Sequence, residues 1–136
     1  MERLDLLKKY RDDVQLLSVD DVDSLITDEW KAVFKEKIQS IRIQKVIDIW
    51  KKHSEKELKN TISYLSEHLI DVILIKTSFG VSVIYELIMM DGSVDYYEGF
   101  VPINDYGKEF DEWESIPESL RNFYSFVHNG FYYYAS

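Results

Sequence analysis

Asp91-Gly92 stands between two runs of apolar, branched and aromatic residues, Val81 to Met90 and Ser93 to Val101, and this arrangement constrains the fold more tightly than any other stretch. An Asp-Gly pair readily takes the positive backbone dihedrals of a two-residue hairpin turn, so the two runs are expected to pair as antiparallel strands. Pro102 has no amide hydrogen to give to the ladder and ends the second strand. Val72-Ile73-Leu74-Ile75 is short, branched and apolar, and reads as a buried strand that leads into the hairpin through a turn at Phe79-Gly80.

Upstream of these strands the apolar spacing is helical. Leu4, Leu7, Val14 and Leu17 recur with charged residues between them, which predicts an amphipathic helix over about residues 3–17. Ser18 to Thr27 is an Asp-rich polar connector. Thr27 is suited to cap a second helix, with Asp28 and Glu29 in the first turn, where the helix dipole favours negative charge. Trp30, Val33, Phe34, Ile38 and Ile41 then share one face. At Ile41-Arg42-Ile43 the pattern alternates, which fits a continued helix and a break equally, and Val46, Ile49 and Trp50 resume the helical period. Ser54-Glu55-Lys56-Glu57 has the sequence of a capping box and predicts the start of a further helix carrying Leu58, Ile62, Leu65 and Leu69 on one face. Near the C-terminus Pro117 is placed as a first-turn proline. Leu120, Phe123, Tyr124 and Val127 form the buried stripe of that helix, Asn129-Gly130 stops it, and Phe131 to Tyr134 reads as a strand.

These elements make an α+β chain: N-terminal helices, an antiparallel meander on the Asp91-Gly92 hairpin, then a C-terminal helix and a final strand. At 136 residues the expectation is one domain over 1–136, with a helical part (1–70) and a sheet part (71–136) on one core. A chain of that size buries roughly two-thirds of its unfolded surface. There is no cysteine, which excludes disulfides, thiolate metal sites and cysteine nucleophiles. No run reaches the ~18 apolar residues of a membrane span. Met1-Glu2-Arg3-Leu4-Asp5 lacks the apolar core of a signal peptide, so a cytoplasmic protein away from membranes is expected.

The net charge of −9 argues against direct nucleic-acid binding, because phosphates require an excess of Lys and Arg on one face. The acidity is concentrated. From Asp91 to Glu118 there are nine carboxylates and one lysine, threaded with Tyr96, Tyr97, Phe100, Tyr106, Phe110 and Trp113. A field of one sign beside rigid amphipathic rings suits capture of a cationic partner, and equally describes a solvated acidic loop beside an aromatic core. In a strand, adjacent residues face opposite sides. Tyr96-Tyr97 and Tyr132-Tyr133-Tyr134 must therefore each send a ring out of the core unless both sheet faces are covered.

Support for catalysis is lacking. His53, His68 and His128 share no i, i+3 or i+4 spacing, and His128, beside the Asn129-Gly130 stop, reads as a structural residue whose positive charge would suit a helix C-terminus. Asp111-Glu112 with Glu114 matches no calcium loop, and no glycine pattern cradles phosphate. No metal, no cofactor and no enzyme activity are expected.

The stretch Trp113-Glu114-Ser115-Ile116-Pro117-Glu118-Ser119-Leu120-Arg121-Asn122-Phe123-Tyr124, followed by His128-Asn129-Gly130-Phe131, resembles the signature of the SUKH superfamily, which includes the yeast cell-wall assembly regulator and many bacterial immunity proteins. Pro117, Leu120, Phe123, Asn129, Gly130 and Phe131 fill the motif: a proline opens a helix, a leucine and an aromatic lie on its buried face, and Asn-Gly with an aromatic enters a strand. In the family several strands follow that element, whereas here six residues follow Gly130. The resemblance implies a non-catalytic immunity protein that neutralises a cognate toxin by covering its active surface. A basic, nuclease-like toxin would meet the acidic face. The expected contact residues are Tyr96, Tyr97, Glu98, Asp105, Glu109, Asp111, Glu112 and Glu114. The alternative is an assembly protein, possible as a homodimer, that associates through its apolar C-terminal strand.

Overall fold

A computed structural model gives the structure of the chain and describes residues 14–21, 26–78, 80–101, 118–128 and 131–133. The fold is α+β. Strand β1 (Gln15–Leu16) is followed by a 3-10 turn (Val19–Asp21) and by helices α1 (Asp28–Lys35), α2 (Gln39–Ser54) and α3 (Lys59–His68). Strands β2 (Leu69–Thr77), β3 (Gly80–Ile88) and β4 (Val94–Phe100) form the meander. Helix α4 (Glu118–Asn122) continues as a π-helical turn (Phe123–Val127), and β5 (Phe131–Tyr133) ends the described chain. The sheet is antiparallel throughout, in the order β1-β2-β3-β4-β5.

Most of the helix expected over 3–17 lies outside the described residues. Where it can be examined, at 15–16, the chain is strand instead: Gln15 and Leu16 pair with Lys76 and Ile75, and the Leu17 amide donates to the Leu74 carbonyl. Pairing with an open sheet edge outweighs local periodicity there. Helix α1 starts as expected, with the Thr27 hydroxyl accepting from the Trp30 amide. The ambiguity after it is resolved by a break at 36–38, upstream of the alternating stretch, and α2 runs through Ile41-Arg42-Ile43. Ile38 and Ile41 fall off the buried face, at 57% and 42% exposure.

The capping box does not form. Ser54 is the last residue of α2 and is buried, its carbonyl accepts from the Leu58 amide, and α3 begins only at Lys59. Burial of that last turn of α2 holds Ser54 in helix, so its hydroxyl caps nothing. The hairpin forms, but its loop has three residues rather than two. Met89 and Ser93 face each other across Met90-Asp91-Gly92, the Gly92 amide donates to the Met89 carbonyl, and Gly92 takes φ 85°. The additional residue sets the register, pairing Ile88 with Val94 and Tyr85 with Tyr97.

Helices α1–α3 cover one face of the sheet. Trp30, Val33, Val46, Trp50, Ile62 and Leu65 pack there on Val72, Leu74, Val83, Tyr85 and Leu87. The opposite face has its own smaller cluster of Val14, Ile75, Ile84 and Tyr96. β3 is therefore buried on both sides, which is why it reads as a nearly continuous apolar run. The last strand finds a partner within its own sheet: Phe131, Tyr132 and Tyr133 pair with Gly99, Glu98 and Tyr97.

Candidate functional site

The helix side of the sheet carries a column of rings. Tyr97 stacks on Phe131 at 5.4 Å, Phe131 on His128 at 5.8 Å, His128 on Trp30 at 5.0 Å, and Trp30 on Phe34 at 6.3 Å. Trp50 and Tyr85 meet this column edge-on. His128 reaches its position because the π-helical turn closes with its own amide donating to the Phe123 carbonyl, after which the chain becomes extended. It also depends on Gly99, where a side chain would collide with the imidazole.

Hydrogen bonding fixes the protons of this centre. The His128 Nδ1 faces the Phe100 carbonyl at 3.0 Å and must donate, which leaves Nε2 as an acceptor for the Tyr85 hydroxyl. The Trp50 Nε1–H in turn donates to the Tyr85 oxygen at 2.9 Å. From Trp50 to Phe100 each N–H and O–H thus has one acceptor, the Tyr85 oxygen both accepting and donating, with His128 neutral. Burial pushes the imidazole down to about 3, against the opposing hydrogen bond to Phe100. It likewise holds the Tyr85 hydroxyl well above its ordinary range, with the Trp50 bond opposing. His128 is structural, as the sequence suggests, but it is an uncharged core residue rather than a cation at a helix end.

At its Tyr97 end the column borders a cleft of about 340 Å³. Tyr64, Tyr97 and Phe131 provide aromatic surface, and Leu65 and Leu87 line it with aliphatic surface. Asn60 and Thr61, one turn earlier on α3, add polar groups. The cleft follows from chain geometry. Helix α3 runs into β2 with no connecting residue. Its C-terminal half is fastened over the end of β3, where His68 Nδ1 donates to the Ile88 carbonyl and the Tyr64 hydroxyl to Met89 Sδ.

Of the expected contact residues that are described, Tyr96, Tyr97 and Glu98, it is Tyr97 that lines the cleft. Tyr96 and Glu98 are corrections: they are 5% and 1% exposed and belong to the interior. Both faces of β4 are covered, so Tyr96 joins the second cluster, and Glu98 accepts a 2.6 Å hydrogen bond from Ser82 across the strand pair. Asp105, Glu109, Asp111, Glu112 and Glu114 lie outside the described residues. The three histidines do not converge. His53 bonds to Glu29 at 2.8 Å and stacks on Phe126, His68 holds α3 to β3, and His128 is in the core.

No family model matches the chain, and neither the curated proteins nor the solved structures yield a match. Among the described residues, no group of three or more His, Cys, Asp or Glu is placed to hold a metal ion. No helix there is long and apolar enough to cross a membrane. Among the described residues, the cleft is a concave surface walled by three aromatic rings, Tyr64, Tyr97 and Phe131. Sequence reasoning missed Tyr64, Asn60 and Thr61. The available signal was Asn60 and Tyr64 at i, i+4 beside the buried Leu65, which places them on the flank of the apolar stripe.

Proposed function

We propose that the chain is a non-catalytic protein-binding module of the immunity-protein kind, which neutralises a basic, nuclease-like toxin by covering its active surface. The observation that carries this reading is the cleft between α3 and strands β3–β5: concave, walled by Tyr64, Tyr97 and Phe131, and set in a chain of net charge −9. Aromatic rings supply contact area at low entropic cost, and a field of one sign speeds encounter with a cation. The SUKH-like motif supports the same reading, since two of its positions, Phe123 and Phe131, pack on the core, and Phe131 also lines the cleft. Tyr97 serves as an anchor, and Asp105, Glu109, Asp111, Glu112 and Glu114 supply the steering charge.

The test begins with the genes beside this one: the reading requires a neighbour that encodes a large protein with a basic C-terminal domain, and a neighbourhood with no such gene overturns it. The chain is then combined with that domain, and nucleic-acid cleavage is followed in a salt series. A stoichiometric complex that abolishes cleavage, and that forms more slowly as salt rises, is the expected result. Purified components that form no complex at low salt overturn the proposal.

A further inference from the structure

The charged group nearest the aromatic wall of the cleft on β4 is Asp95. Its register places it opposite Leu87, a cleft residue, and two positions from Tyr97 on the same face of the strand. Cross-strand neighbours of this kind have Cβ atoms roughly 5 Å apart. Asp95 is half-buried, and among the described residues its carboxylate takes part in no hydrogen bond or ion pair. A half-buried carboxylate beside aromatic rings is left to interact with whatever enters. None of the described lining residues is cationic. On α3, Glu67, its side chain 75% exposed, lies 3.9 Å from His68 Nε2, and His68 packs on the Tyr64 ring at 4.6 Å, so Asp95 is the carboxylate the argument uses.

We infer that this cleft seats an arginine side chain of the protein partner, its aliphatic stem along Leu65 and Leu87, its guanidinium against the Tyr64 ring and within reach of Asp95. The inference rests on the reading of the chain as a protein-binding module and names the chemistry of its anchor. Two features favour arginine over an apolar anchor or a lysine, and the volume admits it. The guanidinium is planar and stacks on aromatic faces, which a compact ammonium does not. It pairs with a carboxylate through two parallel donors, and Asn60 and Thr61 offer acceptors for the remaining N–H groups. A volume of about 340 Å³ lies near the ~300 Å³ lower bound of small-molecule sites and accommodates one long side chain.

The probe is N-acetyl-arginine amide, titrated into the full ¹⁵N-labelled chain and followed by amide shifts. N-acetyl-citrulline amide, its neutral near-isostere, and N-acetyl-leucine amide are run beside it. Saturable shifts confined to residues 60–65, 87, 95–97 and 131, seen with the arginine probe and absent with citrulline, are expected. Asp95→Asn should weaken that response about threefold to fivefold with the rest of the spectrum unchanged, and Tyr64→Leu by a similar factor, with its own spectral changes confined to the neighbourhood of His68 and Met89, which Tyr64 touches. Equal responses to arginine and citrulline, tighter binding of the leucine probe, or shifts spread over the acidic surface each overturn the inference. Because the probe needs no partner, the two readings fail separately. A cleft that ignores arginine in a chain that still forms its complex removes this inference alone, whereas a responsive cleft in a chain that forms no complex removes the proposed function.

Discussion

Gly99 and His128 share one space: a Cβ built on residue 99 would lie 2.5 Å from the imidazole Cδ2 and Nε2 and 2.6 Å from Cε1. The ring cannot yield, because Phe100 and Tyr85 hold its two nitrogens and Phe131 and Trp30 hold its faces. Gly99→Ala should therefore destabilise the chain by about 1–3 kcal/mol, the cost of overpacking a filled core. Urea unfolding measures it. The cost should shrink in a His128→Ala background, where the methyl group has room, and equal costs in both backgrounds would place the strain elsewhere.

The neutral state of His128 has a definite pH signature. Its folded pKa, about 3, lies below the ordinary histidine value of 6.5, so between those limits the unfolded chain binds the extra proton. Its contribution to stability is complete above pH 6.5 and is lost as pH falls towards 3. The slope from this one group reaches about 1.4 kcal/mol per pH unit. Unfolding free energies measured from pH 7 down to pH 5, above the ordinary carboxylate range, should fall more steeply in the parent than in His128→Gln. Imidazole ¹⁵N spectra should keep the neutral Nδ1–H pattern at pH 5. An imidazolium signal at that pH in folded protein would contradict the proton assignment.

Local chemistry made much of this legible. The Thr27 cap and the apolar stripe of Trp30, Val33, Ile62 and Leu65 depend on neighbours within a few residues and appear where the spacing put them, and the hairpin forms at Asp91-Gly92 with a loop one residue longer than expected. What was missed depends on distant partners. Ser54 has the sequence of a cap, but burial at the end of α2 decides its conformation. Glu98 reads as a surface acid until the three-residue loop sets the register that brings Ser82 to it. The aromatic column joins α1, the π-helical turn, β4 and β5, so no single segment announces it. Tyr97 was found as a ring that needed a place, and the cleft it borders exists only because α3 enters β2 without a loop.

Tyr85 joins Trp50 to His128 through a single oxygen. Tyr85→Phe removes that atom and almost nothing else, leaving the Trp50 N–H and the His128 Nε2 buried without partners. A loss of about 3 kcal/mol is expected, because stranded buried polar groups cost far more than the net worth of the bonds themselves. Thermal and urea unfolding of the variant checks it. A near-neutral result would mean that water fills the vacated position and that this centre is not dry.

The outer edge of β2 beyond its short pairing with β1 is closed by side chains. Arg42 grips Asp71 with two hydrogen bonds of 2.9 and 3.1 Å and donates a third, of 2.7 Å, to the Glu36 carbonyl. Asp71 also accepts from the Val72 amide, and the Gln39 side chain donates to the Ile70 carbonyl. Backbone groups that would otherwise offer a template to another strand are thereby occupied. Arg42→Met keeps the stem but removes the fork, and should cost about 1–3 kcal/mol, below the figure for a fully buried pair because Arg42 retains some contact with solvent. It should also raise the rate of strand-mediated aggregation, read by light scattering at fixed protein concentration. Arg42→Lys should recover only part of both losses, since an ammonium cannot make the parallel pair and also reach the Glu36 carbonyl. Full recovery by lysine would show that charge alone, not the planar fork, secures this edge.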